Sequence, residues 1–274
     1  MLERRIFLMT TLMSGFTTAV ARAQTPAIHT DTAGLEAGQA QIPVADGHLP
    51  AYFARPQGAG PFPTIVVIEE IFGVHEYIKD VCRRFAKLGY LAVAPELYAR
   101  IADLSKMSDP QEIVRDVIMK APDATMLADL DSTVAWAEAH GGDGTRLGVT
   151  GFCRGGRDTW LYAEHNPHLK AAVAWYGPVK SPTSAIQPQT PTDLAAALRC
   201  PLLGLYGGRD PSIHLADVQA AAQVAREAGH SVEIKVFPDA GHGFHADYRA
   251  TYNADAARQG WADALAWFKS HGVA

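Results

Sequence analysis

The chain has 274 residues, 48% of them hydrophobic and 19% charged, and a formal net charge of -5. That length suits one large α/β domain, or at most two small ones, with a sizeable core. Mild acidity without a long basic run excludes nucleic acid as an expected partner.

In chain order, residues 1–23 start charged, run apolar from Ile6 to Val20 and end on small residues at Ala21 and Ala23. This is an export-signal pattern, too short and too interrupted by Thr and Ser for a membrane span. Arg4-Arg5 ahead of Ile6-Phe7-Leu8 is similar to a twin-arginine signal; a general secretion signal with two chance arginines is the alternative. The expected mature chain starts near Gln24, in the periplasm or outside the cell, with no stable membrane insertion. Residues 24–39 are small and polar and read as a flexible arm, leaving 40–274 as a single domain.

Strands are expected as an antiparallel pair near Gln41–Val44 and over 47–56, then at 64–68, 91–95, 146–151, 171–177, 201–207 and 232–237. The later runs are almost continuously apolar, as a parallel sheet covered on both faces requires. Helical patterns lie between them: Ile78, Val81, Cys82, Phe85 and Leu88 share one face, and further helices read over 123–140, 212–229 and 254–272. Two antiparallel strands followed by six β/α units predict an eight-stranded, mostly parallel sheet with helices on both faces. The Pro/Ser/Thr-rich stretch 180–192 reads as a small lid or a surface connection.

The three cysteines leave at least one thiol unpaired. Cys82 and Cys200 could pair, and the absence of C-x-x-C argues against a thiol–disulfide oxidoreductase. Cys153 is different. It stands in "TGFCRGG" (150–156), the G-x-S-x-G strand-to-helix turn with sulfur in place of the serine oxygen. At the start of a helix a thiolate is favoured and backbone N–H groups are offered to an oxyanion. The alternative is a small buried side chain.

Such a nucleophile needs a base and an orienting acid, in the chain order nucleophile, acid, histidine. Asp210 in "GGRDP" and His242 in "DAGHGF" each follow an expected strand in that order. Asp239 is the rival acid and His245 the rival base. His242 and His245 also spell H-x-x-H, but with only Asp247 as a further ligand no metal is expected.

The segments 69–100, "GFCRGG" (151–156), "YGGRD" (206–210) and "GHGF" (241–244) together resemble the dienelactone hydrolase family (carboxymethylenebutenolidases) of α/β-hydrolases, over about residues 41–272. The resemblance implies an α/β-hydrolase fold and cleavage of an enol-lactone ester bond by Cys153, His242 and Asp210 without a cofactor. It implies that Glu70 accepts the thiol proton when substrate enters, with Glu69 the alternative by one position and a salt bridge to an arginine the plainer reading. It also implies an oxyanion hole from the backbone N–H groups of Ile71 and Arg154. Family members hold a substrate carboxylate with arginines, and no position here matches them in sequence; Arg100 and Arg249 are candidates, with Arg115, Arg154 and Arg157 as other cations nearby. Trp175 and Tyr176 could line the pocket or belong to the core. The expected partner is a small ester or lactone. A thioesterase or general carboxylesterase on the same triad, and a non-catalytic binding protein on this scaffold, are the rival readings; the sequence does not give the oligomeric state.

Overall fold

The computed structural model describes residues 27–274, so the export-signal reading of residues 1–23 lies outside the described residues. Eight strands form one sheet: β1 (Leu35–Val44), β2 (Gly47–Pro56), β3 (Phe62–Ile68), β4 (Leu91–Pro95), β5 (Gly142–Phe152), β6 (Ala171–Trp175), β7 (Leu202–Gly207) and β8 (Val232–Phe237). Their order is β1-β2-β4-β3-β5-β6-β7-β8. β1 and β2 form a hairpin closed at Val44–Gly47, β2 runs antiparallel to β4, and every later pairing is parallel. The helices are α1 (Glu76–Lys87), α2 (Pro110–Asp116), α3 (Asp123–Ala139), α4 (Arg154–His165), α5 (Pro191–Leu194), α6 (Leu215–Glu227) and α7 (Ala254–Ser270).

Strand alternation divides the core in two. Ile65 and Val67 of β3 pack with Ile78, Val81, Cys82 and Phe85 of α1, while Val66 and Ile68 pack on the opposite face with Leu130 of α3 and Trp160 of α4. Removing such side chains from water is what stabilises the layers, at about 1.5–3 kcal/mol for each large one. Cys82 and Cys200 fall in the two different layers, and all three cysteines are free thiols, so the pairing left open by the sequence does not form.

A third apolar cluster lies over the loops that follow β3 and β4. It joins Ile71, Tyr98 and Leu104 to Ile113, Val117 and Ile118 of the α2 region. Gln187, from the stretch 180–192, is buried and bolts this cap down: its Nε2 donates to the Ile118 and Ala121 carbonyls at 2.7 and 2.8 Å.

The arm differs from expectation. β1 already starts at Leu35, and residues before it are pinned by Ile28 N–H to Asp247 Oδ2 (3.0 Å), Thr30 N–H to Asp80 Oδ1 (2.5 Å) and Lys87 Nζ to Asp31 Oδ1 (2.5 Å). Backbone donors, which polar composition does not reveal, carry two of these three contacts. No described helix is long and apolar enough to cross a membrane.

Candidate active site

β5 ends at Phe152, α4 begins at Arg154, and Cys153 makes the turn between them with φ 55° and ψ -116°. A non-glycine residue held there costs about 1–3 kcal/mol and persists only where its surroundings dictate it. They do so here: Cys153 N–H donates to the Trp175 carbonyl (3.0 Å), and the Cys153 carbonyl accepts from the N–H groups of Gly156 (2.9 Å) and Arg157 (3.3 Å). The first turn of α4 is also sunk between β3 and β6. A Cβ at Gly155 would strike the Ile68 and Glu69 carbonyl oxygens, and one at Gly156 would meet the Trp175 oxygen at 2.5 Å and the Gly177 Cα at 2.8 Å. The thiol is thereby presented at a helix N-terminus, 6% exposed.

Asp210 follows β7 and His242 follows β8. Asp210 Oδ2 lies 2.7 Å from His242 Nδ1, and its Oδ1 accepts from Ser212 N–H (2.8 Å) and Ser212 Oγ (2.6 Å). Burial alone would depress the His242 pKa. The Cys153 sulfur and the Asp210 carboxylate overcome it and raise the value to about 10. Burial likewise works against the Asp210 carboxylate, but His242 and the Ser212 hydrogen bonds hold it below the usual range. Tyr176, at φ 38°, sets its ring edge-on to His242 with centroids 5.1 Å apart.

The two rivals go elsewhere. Asp239 is exposed and paired with Arg209 at 2.5 Å. His245 is buried behind the turn: Tyr77 O–H lies 2.7 Å from its Nδ1, and its ring packs on Phe152, Trp175 and Trp261. Burial and the charge of Arg84 push its pKa down to about 3, so it is neutral. The two rings thus have different surroundings, and among the described residues no group of three or more His, Cys, Asp or Glu side chains is placed to hold a metal ion.

Glu70 is fully buried. Its Oε1 accepts from Arg249 Nη2 (2.9 Å), its Oε2 from Tyr248 O–H (2.6 Å), and His75 Nε2 stands 3.5 Å away. Burial pushes its pKa up, but Arg249, His75 and Tyr248 together bring it down to about 2. The salt bridge to an arginine is therefore present. Glu69 points to other partners: it accepts from Leu97 N–H at 2.8 Å and borders a cavity of about 310 Å³ beneath Gly73 and Leu104. Ile71 follows Glu70 in the same turn, buried, and Arg154 is the first residue of α4, where helix geometry leaves its N–H without an intrahelical acceptor.

Two of the binding candidates, Arg100 and Trp175, are corrected. Arg100 is held between Asp46 (2.7 Å) and Asp129 (2.5 Å), away from the turn, because two carboxylates claim it. Trp175 belongs to the core: its Nε1 donates to Thr150 Oγ1 (3.1 Å) and its ring stacks on Phe152, because the strand register turns it inward. Arg115 is exposed and paired with Asp116. The Arg154 and Arg157 side chains join Asp123 and Asp158 in a buried ion network under α4. Arg249 and Tyr176, by contrast, do arrive at the site. Sequence reasoning missed Tyr248, His75 and Ser212; Tyr248 adjoins Arg249, which was already singled out, and that was the available signal.

A sheet of this order, with a cysteine on a sharp turn between β5 and α4 and an Asp–His pair after β7 and β8, is an α/β-hydrolase fold. Within that class the chain belongs to the dienelactone hydrolase family, whose model matches residues 49–272. It is 53% identical to a Methylorubrum extorquens protein provisionally named a carboxymethylenebutenolidase, an alignment covering 100% of this chain and 94% of that one. The crystal structure of a provisionally assigned dienelactone hydrolase from Klebsiella pneumoniae is 51% identical with a TM-score of 0.84, over 86% of this chain and 98% of the other. A more distant Bradyrhizobium relative, named a probable 2-oxo-3-(5-oxofuran-2-ylidene)propanoate lactonase, is 30% identical over 81% of this chain and 89% of its own. The protein is thus a hydrolase of dienelactone hydrolase type acting on a small molecule.

Proposed function

We propose that the protein opens a lactone or enol-lactone bearing a carboxylate, or a related small ester, through attack by the Cys153 thiolate. The observation that carries this reading is the strained Cys153 at the head of α4 beside the paired His242 and Asp210. Both names carried by the relatives describe an unsaturated furanone-type lactone with a carboxyl group, which favours a lactone over a thioester or a simple ester on the same residues.

In the resting protein Glu70 is a weak base, because Arg249 and Tyr248 hold its charge. A substrate carboxylate competing for Arg249 removes that stabilisation while burial remains, and burial alone makes a carboxylate more basic. Glu70 then takes the thiol proton. The sulfur forms a bond to the carbonyl carbon, and the oxyanion is met by the N–H groups of Ile71 and Arg154. As the C–O ester bond breaks, the His242 imidazolium gives its proton to the leaving oxygen. Neutral His242 next takes a proton from water, whose oxygen attacks the thioester carbon; the acid leaves, and the thiolate recovers its proton from Glu70. Asp210 orients the imidazole throughout.

Rapid quenching with an activated lactone, followed by intact mass and peptide mapping, should find an acyl group on Cys153. Cys153→Ala should show no adduct and no turnover while keeping its fold. Full activity in that variant overturns the reading.

A further inference from the structure

The loop that carries His242 also carries Asp247, Tyr248 and Arg249, and the last two grip Glu70. Asp247 is 2% exposed, and Asp80 on α1 is 1% exposed. Arg84 lies between them, with Nε donating to Asp80 Oδ2 (2.5 Å) and Nη2 to Asp247 Oδ2 (2.7 Å). Each carboxylate also receives one backbone N–H from the arm before β1: Ile28 to Asp247 and Thr30 to Asp80. Asp80 also accepts from Arg83 Nη2 at 3.1 Å. Such additional donors offset the loss of water around the two buried carboxylates, which the Arg84 guanidinium they share does not do alone.

We propose that Asp247 is a positioning residue for Tyr248 and Arg249, and that the arm residues Ile28 and Thr30 form the strap that holds it against α1. The loop is hydrogen-bonded to α1 through Tyr77–His245 and Arg84–Asp247, and the second bond lies next to Tyr248 and Arg249; the Tyr77 and Tyr248 rings also pack with centroids 5.6 Å apart, a contact that fixes the tyrosine ring but not the arginine side chain. Loosening it shifts the Arg249 guanidinium, at the end of a long side chain, while the Asp210–His242 pair stays anchored to the ends of β7 and β8. The strap therefore bears on recognition of the substrate carboxylate and leaves the bond-breaking groups in place. This rests on the reading that Arg249 meets that carboxylate.

The test compares a carboxylate-bearing enol lactone with a neutral p-nitrophenyl ester on four proteins: the chain beginning at Gln24, its Asp247→Asn and Arg249→Met variants, and a chain beginning at Gly34. Asp247→Asn should raise KM for the charged lactone about tenfold and leave kcat/KM for the neutral ester within about twofold. Loss of the arm should act in the same direction by about threefold, since Arg84 still holds Asp247. Arg249→Met should show the full loss of discrimination. Equal losses on both substrates, or unchanged KM in the Asp247 and arm variants while Arg249→Met discriminates poorly, would overturn the strap. Unchanged discrimination in Arg249→Met would remove the Arg249 reading itself, and the strap with it. If Asp247→Asn does not fold, the shortened chain decides alone.

Discussion

His242 and His245 sit three positions apart on one loop, both buried, and their pKa values are about 10 and about 3. The chain places one against the Asp210 carboxylate and the Cys153 sulfur, and the other among aromatic rings under the positive field of Arg84. Burial works against the charged form of both. Only where opposite charge is close does it lose. Being a histidine in a buried active-site loop is thus no mark of a catalytic base; the neighbours decide.

Alanine substitution separates the two most sharply. His242→Ala should lose on the order of 10⁴-fold in kcat/KM, and Asp210→Asn on the order of 10²–10⁴-fold by leaving the imidazole misoriented or in the wrong tautomer. His245→Ala should lose less than about tenfold in rate but about 2–4 kcal/mol of stability, since it opens an aromatic cavity and removes the ring nitrogen hydrogen-bonded to the Tyr77 hydroxyl. Steady-state kinetics beside urea melts distinguishes these outcomes. A His245 variant as inactive as the His242 variant would erase the contrast.

The carboxylates repeat the comparison. Glu70 and Glu164 are both buried, yet Glu70 is held at about 2 and Glu164 rises to about 9. Glu70→Gln removes the negative charge and, on the proposed mechanism, the acceptor of the Cys153 proton. Turnover should fall roughly ten- to a hundredfold, while the resting thiol alkylates faster with iodoacetamide because thiolate repulsion is gone. Alkylation rate against pH, with turnover alongside, checks both; no change in either would make Glu70 a structural salt-bridge partner.

For Glu164 the effect falls on stability. Burial drives its pKa up, only partly opposed by Arg157, and neither carboxyl oxygen has a hydrogen-bond partner among the described residues. The folded state keeps this proton between the ordinary value of 4.5 and about 9, while the unfolded chain has lost it. Stability from this group is therefore complete below 4.5 and declines with rising pH until about 9. Glu164→Gln should flatten that decline in urea melts taken from pH 5 to 9. Parallel slopes for the two proteins would show that Glu164 is ionised in the fold.

Much of this was legible in the residues. Strands β3, β4, β6 and β7 are nearly uninterrupted apolar runs, which a doubly covered sheet accommodates, and Asp210 follows the last of them, while His242 follows β8, where Glu233 and Lys235 interrupt the run. β1 was seen only in part, because its first half, "LEAGQA", alternates small and polar residues as an edge strand can, and backbone pairing with β2 holds it. Trp175 could not be assigned to core or pocket without knowing which way β6 turns it. Arg249 depended on the path of the loop after His242: Gly243, at φ 73°, leaves room for the arginine side chain, where a Cβ would meet Arg249 Cδ at 2.8 Å. Sequence spacing carries no trace of that crossing.

The sunken first turn of α4 has a consequence for anyone wishing to redirect this enzyme to other substrates. Gly155, Gly156 and Gly177 leave a Cβ nothing but backbone to meet, so no side chain, however small, can be grafted there without displacing the Cys153 turn. Variation belongs in the cap instead. Ile113, Val117 and Ile118 lie on and between two short helical segments remote from the Cys153 turn in sequence, and they share one apolar cluster with Ile71. A library built at those three positions can reshape the roof of the site while its floor stays untouched.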